Sequence, residues 1–234
     1  MKMTPRERLI RVFKCLDVDR MPIRLWGVDP MFPVRDDWQP LIELTEKYQL
    51  EIIRTWSPSK EEVPESVCKQ CDTERIIEER SIREITTTIE TPAGLLTRIF
   101  HQPISGAPGY VRKHCVENIE DAKKWLSIPD DELPVVDSYF ELEKKTGSRA
   151  MLMVGIDEAM YMVQRLMGSE VFGYWLYDER DLLREMIDRA YKKIERLVKH
   201  YLSKGLGDAY GWVGPELCIP PLASVKDFYE FVVE

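Results

Sequence analysis

The run AMLMVGID, residues 150–157, limits the fold of this chain more than any other stretch. It is almost wholly apolar and too short for a buried helix. A strand with apolar residues at odd and even positions alike is covered on both faces, as happens in parallel sheets flanked by helices. Asp157 closes the run, so a carboxylate stands at the carboxyl end of the most buried strand.

The rest of the chain fits around such a strand. Thr4 as N-cap, Pro5 at the first helical position and Glu7 three residues on form a helix start, followed by an apolar face of Leu9, Ile10, Phe13 and Leu16. MPIRLW, residues 21–26, is too short for a helix and ends at Gly27, which predicts a first strand. A helix over about 38–48 and a second strand, LEIIRTW at 50–56, complete a unit of the length expected for a right-handed parallel crossover. Residues 57–75 are polar and rich in Pro, Ser and Glu, and read as loop. Two β-branched stretches then flank Thr91-Pro92-Ala93-Gly94, which predicts an antiparallel hairpin. Asn118 caps a helix over about 119–127, and a second helix falls near 137–147. After AMLMVGID comes a helix with Met160, Val163, Leu166 and Met167. A longer one, about 179–203, follows with Asp178 as cap and apolar residues at spacings of three and four. Gly205 ends it, a strand is expected at 207–213, and Ser224 caps a last helix.

Four parallel strands interleaved with helices match part of a (β/α)8 TIM barrel, a fold of about 250 residues. The expectation is one domain, an incomplete barrel with 57–117 as an inserted loop and hairpin. The final helix, SVKDFYEFVVE, stops with its apolar pattern still running, which points to a further carboxyl-terminal part. A four-stranded doubly wound domain is the rival arrangement.

The 41 acidic and 33 basic side chains leave a formal charge of −8, which works against nucleic acid and anionic membranes as partners. No eighteen-residue apolar run and no apolar leader occur, so the cytoplasm is the expected location. Five cysteines are too few and too scattered for a disulfide framework and suit reduced thiols. The chain has no G-x-G-x-x-G, no Walker loop and no G-x-S-x-G.

Charged residues gather at expected strand ends: Arg24, Arg54, Asp157, Asp208 and Glu216. Parallel strands would turn these ends to one rim. Asp157 and Glu216 are the candidates for proton transfer there, Glu216 because prolines brace its loop. Arg24, Trp26, Arg54, Asp208 and Trp212 are the candidates for holding substrate. Each can equally be read as a helix cap or surface ion pair. Cys68 and Cys71 form a CxxC, with His101, His114 and Cys115 further on, but the second regularly spaced pair of a zinc site is lacking, and no metal ligands are assigned. Tyr174, Trp175, Tyr177, Tyr210 and Trp212 can line a pocket for a flat ligand or fill the core.

Several stretches together resemble one family. TPRERLIRVFKCLDVDRMPI is similar to the opening of the uroporphyrinogen decarboxylase superfamily, in which a leading R-E-R helix runs into D-R-x-P and the first barrel strand. ETPAGLLTRIF, VENIEDAKKWL, YWLYDERDLL and GWVGPELCIPPLASVKDFYEF add to the likeness, which spans nearly the whole chain. The resemblance implies an eight-stranded βα barrel with a tetrapyrrole or corrinoid-linked substrate at its mouth. It implies either cofactor-free decarboxylation, as in haem biosynthesis, or methyl transfer that uses zinc and a corrinoid protein. The decarboxylases carry Arg-Gln-Ala-Gly after the first strand. RLWGVDP stands there in this chain, keeping at most Arg24. The methyltransferases' His-x-Cys lies in a part of the barrel beyond this sequence, so the zinc ligands are not in this chain. A homodimer is compatible with this reading. The alternative is a truncated, non-catalytic chain that serves as an interaction module.

Overall fold

The computed structural model describes residues 2–33, 35–214 and 218–233. In chain order these form α1 (Pro5–Phe13), α2 (Gln39–Lys47), β1 (Ile52–Trp56), β2 (Gln70–Ile77), β3 (Ile82–Thr91), β4 (Gly94–Pro103) and β5 (Tyr110–Lys113). There follow α3 (Ile119–Leu126), α4 (Asp137–Thr146), β6 (Ala150–Asp157), α5 (Ala159–Asp178), α6 (Arg180–Ser203), β7 (Ala209–Val213) and α7 (Val225–Phe228). The fold is mixed α/β, with a parallel three-stranded sheet in the order β1-β6-β7 and an antiparallel four-stranded sheet in the order β2-β3-β4-β5. Neither sheet closes into a barrel. The chain packs as two compact units: residues 1–63, 133–156 and 200–212, and residues 64–132, 157–199 and 213–234.

In the first unit β6 is the central strand, in parallel register with β1 from Ile52 opposite Ala150 to Trp56 opposite Val154. Ala150, Met151, Leu152 and Val154 are fully buried, so side chains of both parities are covered, as the apolar run required. Trp56 ends β1 edge-on to Tyr139 and Tyr201 and donates its indole N–H to Ser138 Oγ at 2.9 Å.

The sheet has three strands rather than the four expected, because MPIRLW does not form one. Among the described residues Ile23 accepts one backbone bond, from Glu51 N–H at 3.0 Å, and its own N–H goes to the Glu51 side chain at 2.7 Å. A ladder needs backbone groups on both sides, and here a carboxylate has taken one of them.

That carboxylate anchors the amino terminus. α1 starts as expected, with Thr4 Oγ1 accepting the Glu7 N–H. Arg8, 3% exposed, reaches Asp19 at 2.6 Å and Glu51 at 2.5 Å, and Arg20 adds a bond to Glu51 at 2.8 Å. A buried carboxylate without such partners would cost several kcal/mol, on the order of the penalty for an unpaired ion.

In the second unit the hairpin forms across Thr91 and Gly94 as expected. It has a neighbour on each side, β2 and β5. The first six residues of β2, Gln70 to Arg75, fall within the stretch read as polar loop. Its residues, QCDTERII, are nearly all exposed, so neither face carries the alternation by which a strand is recognised. Asn118 caps α3 through Asp121 N–H, and Ser224 caps α7 with a reciprocal bond from its own N–H to Asp227. Arg180 at the start of α6 ties α7 down through Asp227 at 2.8 Å and the turn after it through Glu230. Leu183, Met186, Ala190 and Ile194 bury the expected face of α6.

Candidate functional site

Directly opposed residues of an antiparallel sheet share a face. In β2, β3 and β4, Gln70 opposes Ile89 and Thr87 opposes Arg98. These four, with Val111, form one wall of a cavity of about 710 Å³. α5 forms another with Met162, Gln164, Arg165, Leu166, Gly168 and Ser169. Trp125, Lys193, His114, Cys115 and Asp157 complete it. The volume is in the range of small-molecule and cofactor sites, roughly 300–1,000 Å³.

The shape of this wall depends on a break in α5. Gly168 has φ 75° and ψ 167°, values outside the helix and accessible without strain only to glycine. A Cβ built there would lie 2.5 Å from His114 Nε2, so the imidazole occupies the space that a side chain would need. Val116 N–H donates to the Leu166 carbonyl at 3.1 Å, and Gln164 Nε2 donates to Ser169 Oγ at 2.8 Å across the break. His114 Nδ1 is buried without a hydrogen-bond partner among the described residues. An orphaned buried nitrogen is uncommon in folded proteins and marks a strained or functional position.

The charge of the wall is opposite to that of the chain. Three cations, Arg98, Arg165 and Lys193, face one carboxylate, Asp157. Lys193 is held by Asp131 at 3.0 Å. Arg98 and Arg165 lie over the rings of Phe100 and Tyr161, at 5.3 and 5.4 Å from the centroids, and neither has a carboxylate partner among the described residues. Asp157 is exposed, and its carboxylate likewise has no partner among them. Burial pushes the Cys115 thiol up, which keeps it protonated and a weak nucleophile at neutral pH. The arrangement can hold an anionic ligand on its guanidinium groups, present a carboxylate to N–H donors, and pack a flat apolar body against Ile89, Val111, Trp125 and Leu166.

No family model, curated protein or solved structure matches this chain.

Of the described residues expected at a rim, Asp157 alone lines this cavity. Asp208 stands at the amino end of β7 rather than its carboxyl end, bound by Arg6 and by the Leu152 N–H. Arg54 lies inside β1 with Leu152 as its register partner. Its charge is met by Asp29 at 2.8 Å, and its guanidinium sits 3.4 Å from the centroid of Phe32. Arg24 has no carboxylate partner among the described residues. Burial lowers its pKa, and it lies 4.8 Å from the ring centroid of Trp26, an indole 84% exposed. Trp212 is exposed in β7 beside Tyr210, with ring centroids 6.4 Å apart. Glu216 lies outside the described residues. Cys68 is buried and Cys71 exposed, and no three His, Cys, Asp or Glu side chains gather into a metal-binding group among the described residues.

Arg98, Arg165 and Lys193 carry no signal of a shared site in the sequence, and His114 stands out there only as a residue type that can bind zinc. They come from separate elements, and only the pairing of strands and the folding of α5 bring them together. One signal was available: Gly168 interrupts an otherwise helical apolar pattern, and an isolated glycine in such a place often has a packing reason.

Proposed function

We propose that this chain belongs to a uroporphyrinogen-decarboxylase-like enzyme acting on a tetrapyrrole or corrinoid-linked substrate, with β1, β6 and β7 as strands of a (β/α)8 barrel. The observation that carries the reading is the cation-lined cavity of an acidic chain, with Asp157 at its edge. Tetrapyrroles combine flat, apolar pyrrole rings with a rim of carboxylate side chains and with pyrrole N–H donors. Arg98, Arg165 and Lys193 supply partners for the carboxylates, and Trp125 and Leu166 supply apolar surface for the ring. Asp157 supplies an acceptor for the pyrrole N–H groups. In decarboxylation of an acetate side chain, positive charge on the protonated pyrrole is steadied by a fixed carboxylate, and Asp157 has that role here. In the methyl-transfer branch the same cations would donate hydrogen bonds to the amide carbonyls on the rim of a corrinoid.

The chain needs no resident cofactor for decarboxylation. For methyl transfer a zinc ion would activate the acceptor thiol, and the described residues offer no ligand set for it. Optical titration with uroporphyrin and with methylcobalamin tests the reading, together with turnover of uroporphyrinogen. Binding of either compound that weakens when Arg98 and Arg165 are both changed to Gln supports it. Equal affinity of the native and double-variant proteins for both compounds rejects it.

A further inference from the structure

A polar row crosses the antiparallel sheet from edge to edge. Arg75 in β2 opposes Glu84 in β3, Glu84 opposes His101 in β4, and His101 opposes Tyr110 in β5. All four are in contact: Arg75 Nε donates to Glu84 Oε1 at 2.5 Å, His101 Nε2 lies 2.8 Å from Glu84 Oε2, and His101 Nδ1 lies 3.0 Å from the Tyr110 hydroxyl. Glu84 and His101 are buried, while Arg75 and Tyr110 reach solvent.

The chemistry of the row sets its protons. The Arg75 guanidinium, and after it His101, hold the Glu84 carboxyl below the usual carboxylate range, so Glu84 is ionised and can only accept. Nε2 of His101 must then carry the hydrogen it shares with Glu84. In the neutral imidazole this leaves Nδ1 as an acceptor, and the Tyr110 hydroxyl is its donor. Hydroxyl, imidazole and carboxylate thus stand in the order used to activate oxygen nucleophiles, each within hydrogen-bond reach of the next.

We infer that Tyr110 is an activated phenol that accepts acyl groups from activated esters, with His101 as its general base and Glu84 as the group that orients the base. The Tyr110 oxygen attacks the carbonyl carbon of the ester as His101 Nδ1 takes its proton. The bond from that carbon to the alkoxy oxygen breaks, and the leaving group departs with the proton returned by His101. The products are O-acyl-Tyr110 and one free alcohol, and no oxidant or reductant is needed. Glu84 steadies the imidazolium between the two transfers, and Arg75 fixes Glu84 by its other oxygen. This site is separate from the cation-lined cavity and does not depend on the tetrapyrrole reading: Glu84 and His101 lie on the opposite parity of β3 and β4 from Thr87 and Arg98.

Five other tyrosines give an internal control, because Tyr48, Tyr174, Tyr177, Tyr191 and Tyr229 are each more exposed than Tyr110, which is 48% exposed. Simple accessibility would label them first. Native protein is treated with 4-nitrophenyl acetate, and acetylation at each tyrosine is followed by peptide mass spectrometry. Tyr110 is expected to react about a hundredfold faster than any of the five, the low end of what a positioned base contributes. In folded His101→Gln protein the excess at Tyr110 should vanish. Labelling of Tyr110 no faster than the controls overturns the proposal, and so does an excess that survives in His101→Gln. Because the comparison with the five control tyrosines is made on native protein, the test stands even if that variant does not fold.

Discussion

Arg6 grips Asp208 with two bonds, Nε to Oδ2 and Nη2 to Oδ1, each 2.9 Å long. The pair joins α1 to the start of β7 across 202 positions of sequence, and the same Asp208 oxygen that meets Nε also accepts the Leu152 N–H at 2.9 Å. Both side chains are largely buried, at 20% and 12% exposed. Removing one member leaves a desolvated charge behind, which is costlier than the bond itself. Asp208→Ala is expected to lower unfolding free energy by about 3 kcal/mol in urea titrations. Ligand affinity per folded molecule should not change, and a selective loss of affinity would return Asp208 to the substrate-holding role.

Gly168→Ala meets two obstacles at once, a φ of 75° that alanine adopts only with strain and a Cβ 2.5 Å from His114 Nε2. A loss of about 2–4 kcal/mol is expected, visible as a lower thermal midpoint. His114→Ala in the same background should recover part of it, because the clash term is then gone. No recovery would mean that the backbone strain alone decides.

The cavity cations should act additively on anionic ligands. Arg98→Gln and Arg165→Gln are each expected to weaken uroporphyrin binding about five- to tenfold, roughly 1–1.4 kcal/mol, with little effect on stability. Raising the salt concentration should weaken the native protein more than the double variant. Identical salt dependence would show that these charges do not meet the ligand.

Cysteine reactivity follows from burial. Cys15 and Cys71 are exposed, whereas Cys68, Cys115 and Cys218 are buried, and burial pushes the Cys218 thiol up to about 11. Native protein at pH 8 is expected to react quickly with an aromatic disulfide reagent at Cys15 and Cys71 and slowly at the other three. Peptide mapping identifies the sites, and rapid loss of the Cys218 thiol would contradict the burial.

Acid should destabilise the fold. Glu84 is held down by Arg75 and His101. In Asp227 burial works upward but is outweighed by the bonds from Ser224 and Arg180, and in Glu230 it is outweighed by Arg180 and Arg184. A carboxylate with a depressed folded pKa stabilises above its unfolded value, about 4, and the contribution fades as pH falls through the folded one. The urea midpoint should hold steady from pH 7 to 5 and drop below about pH 4. A midpoint that rises in acid would show that these ion pairs do not stabilise the fold.

Much of the local structure was legible in the sequence because its causes are local. Thr4, Asn118 and Ser224 cap the helices they precede, since a hydroxyl or amide three residues from a free N–H needs no tertiary help. The hairpin turn at Thr91 to Gly94 followed from turn chemistry in the same way. β2 escaped notice because an exposed edge strand of polar residues has no burial to pattern it. MPIRLW misled in the opposite direction: its composition suits a strand, but Glu51 diverts the N–H of Ile23.

The sequence by itself determined where helices begin, that β6 is covered on both faces, and that the chain is acidic. Only the tertiary structure decided which charges are left free to act. Asp208 and Arg54 are bound by Arg6 and Asp29, while Arg98, Arg165 and Asp157 come to a cavity without carboxylate or cationic partners among the described residues. Secondary structure answers to neighbours a few residues away. The availability of a charge depends on partners tens to hundreds of positions distant, which only the folded chain brings within bonding reach.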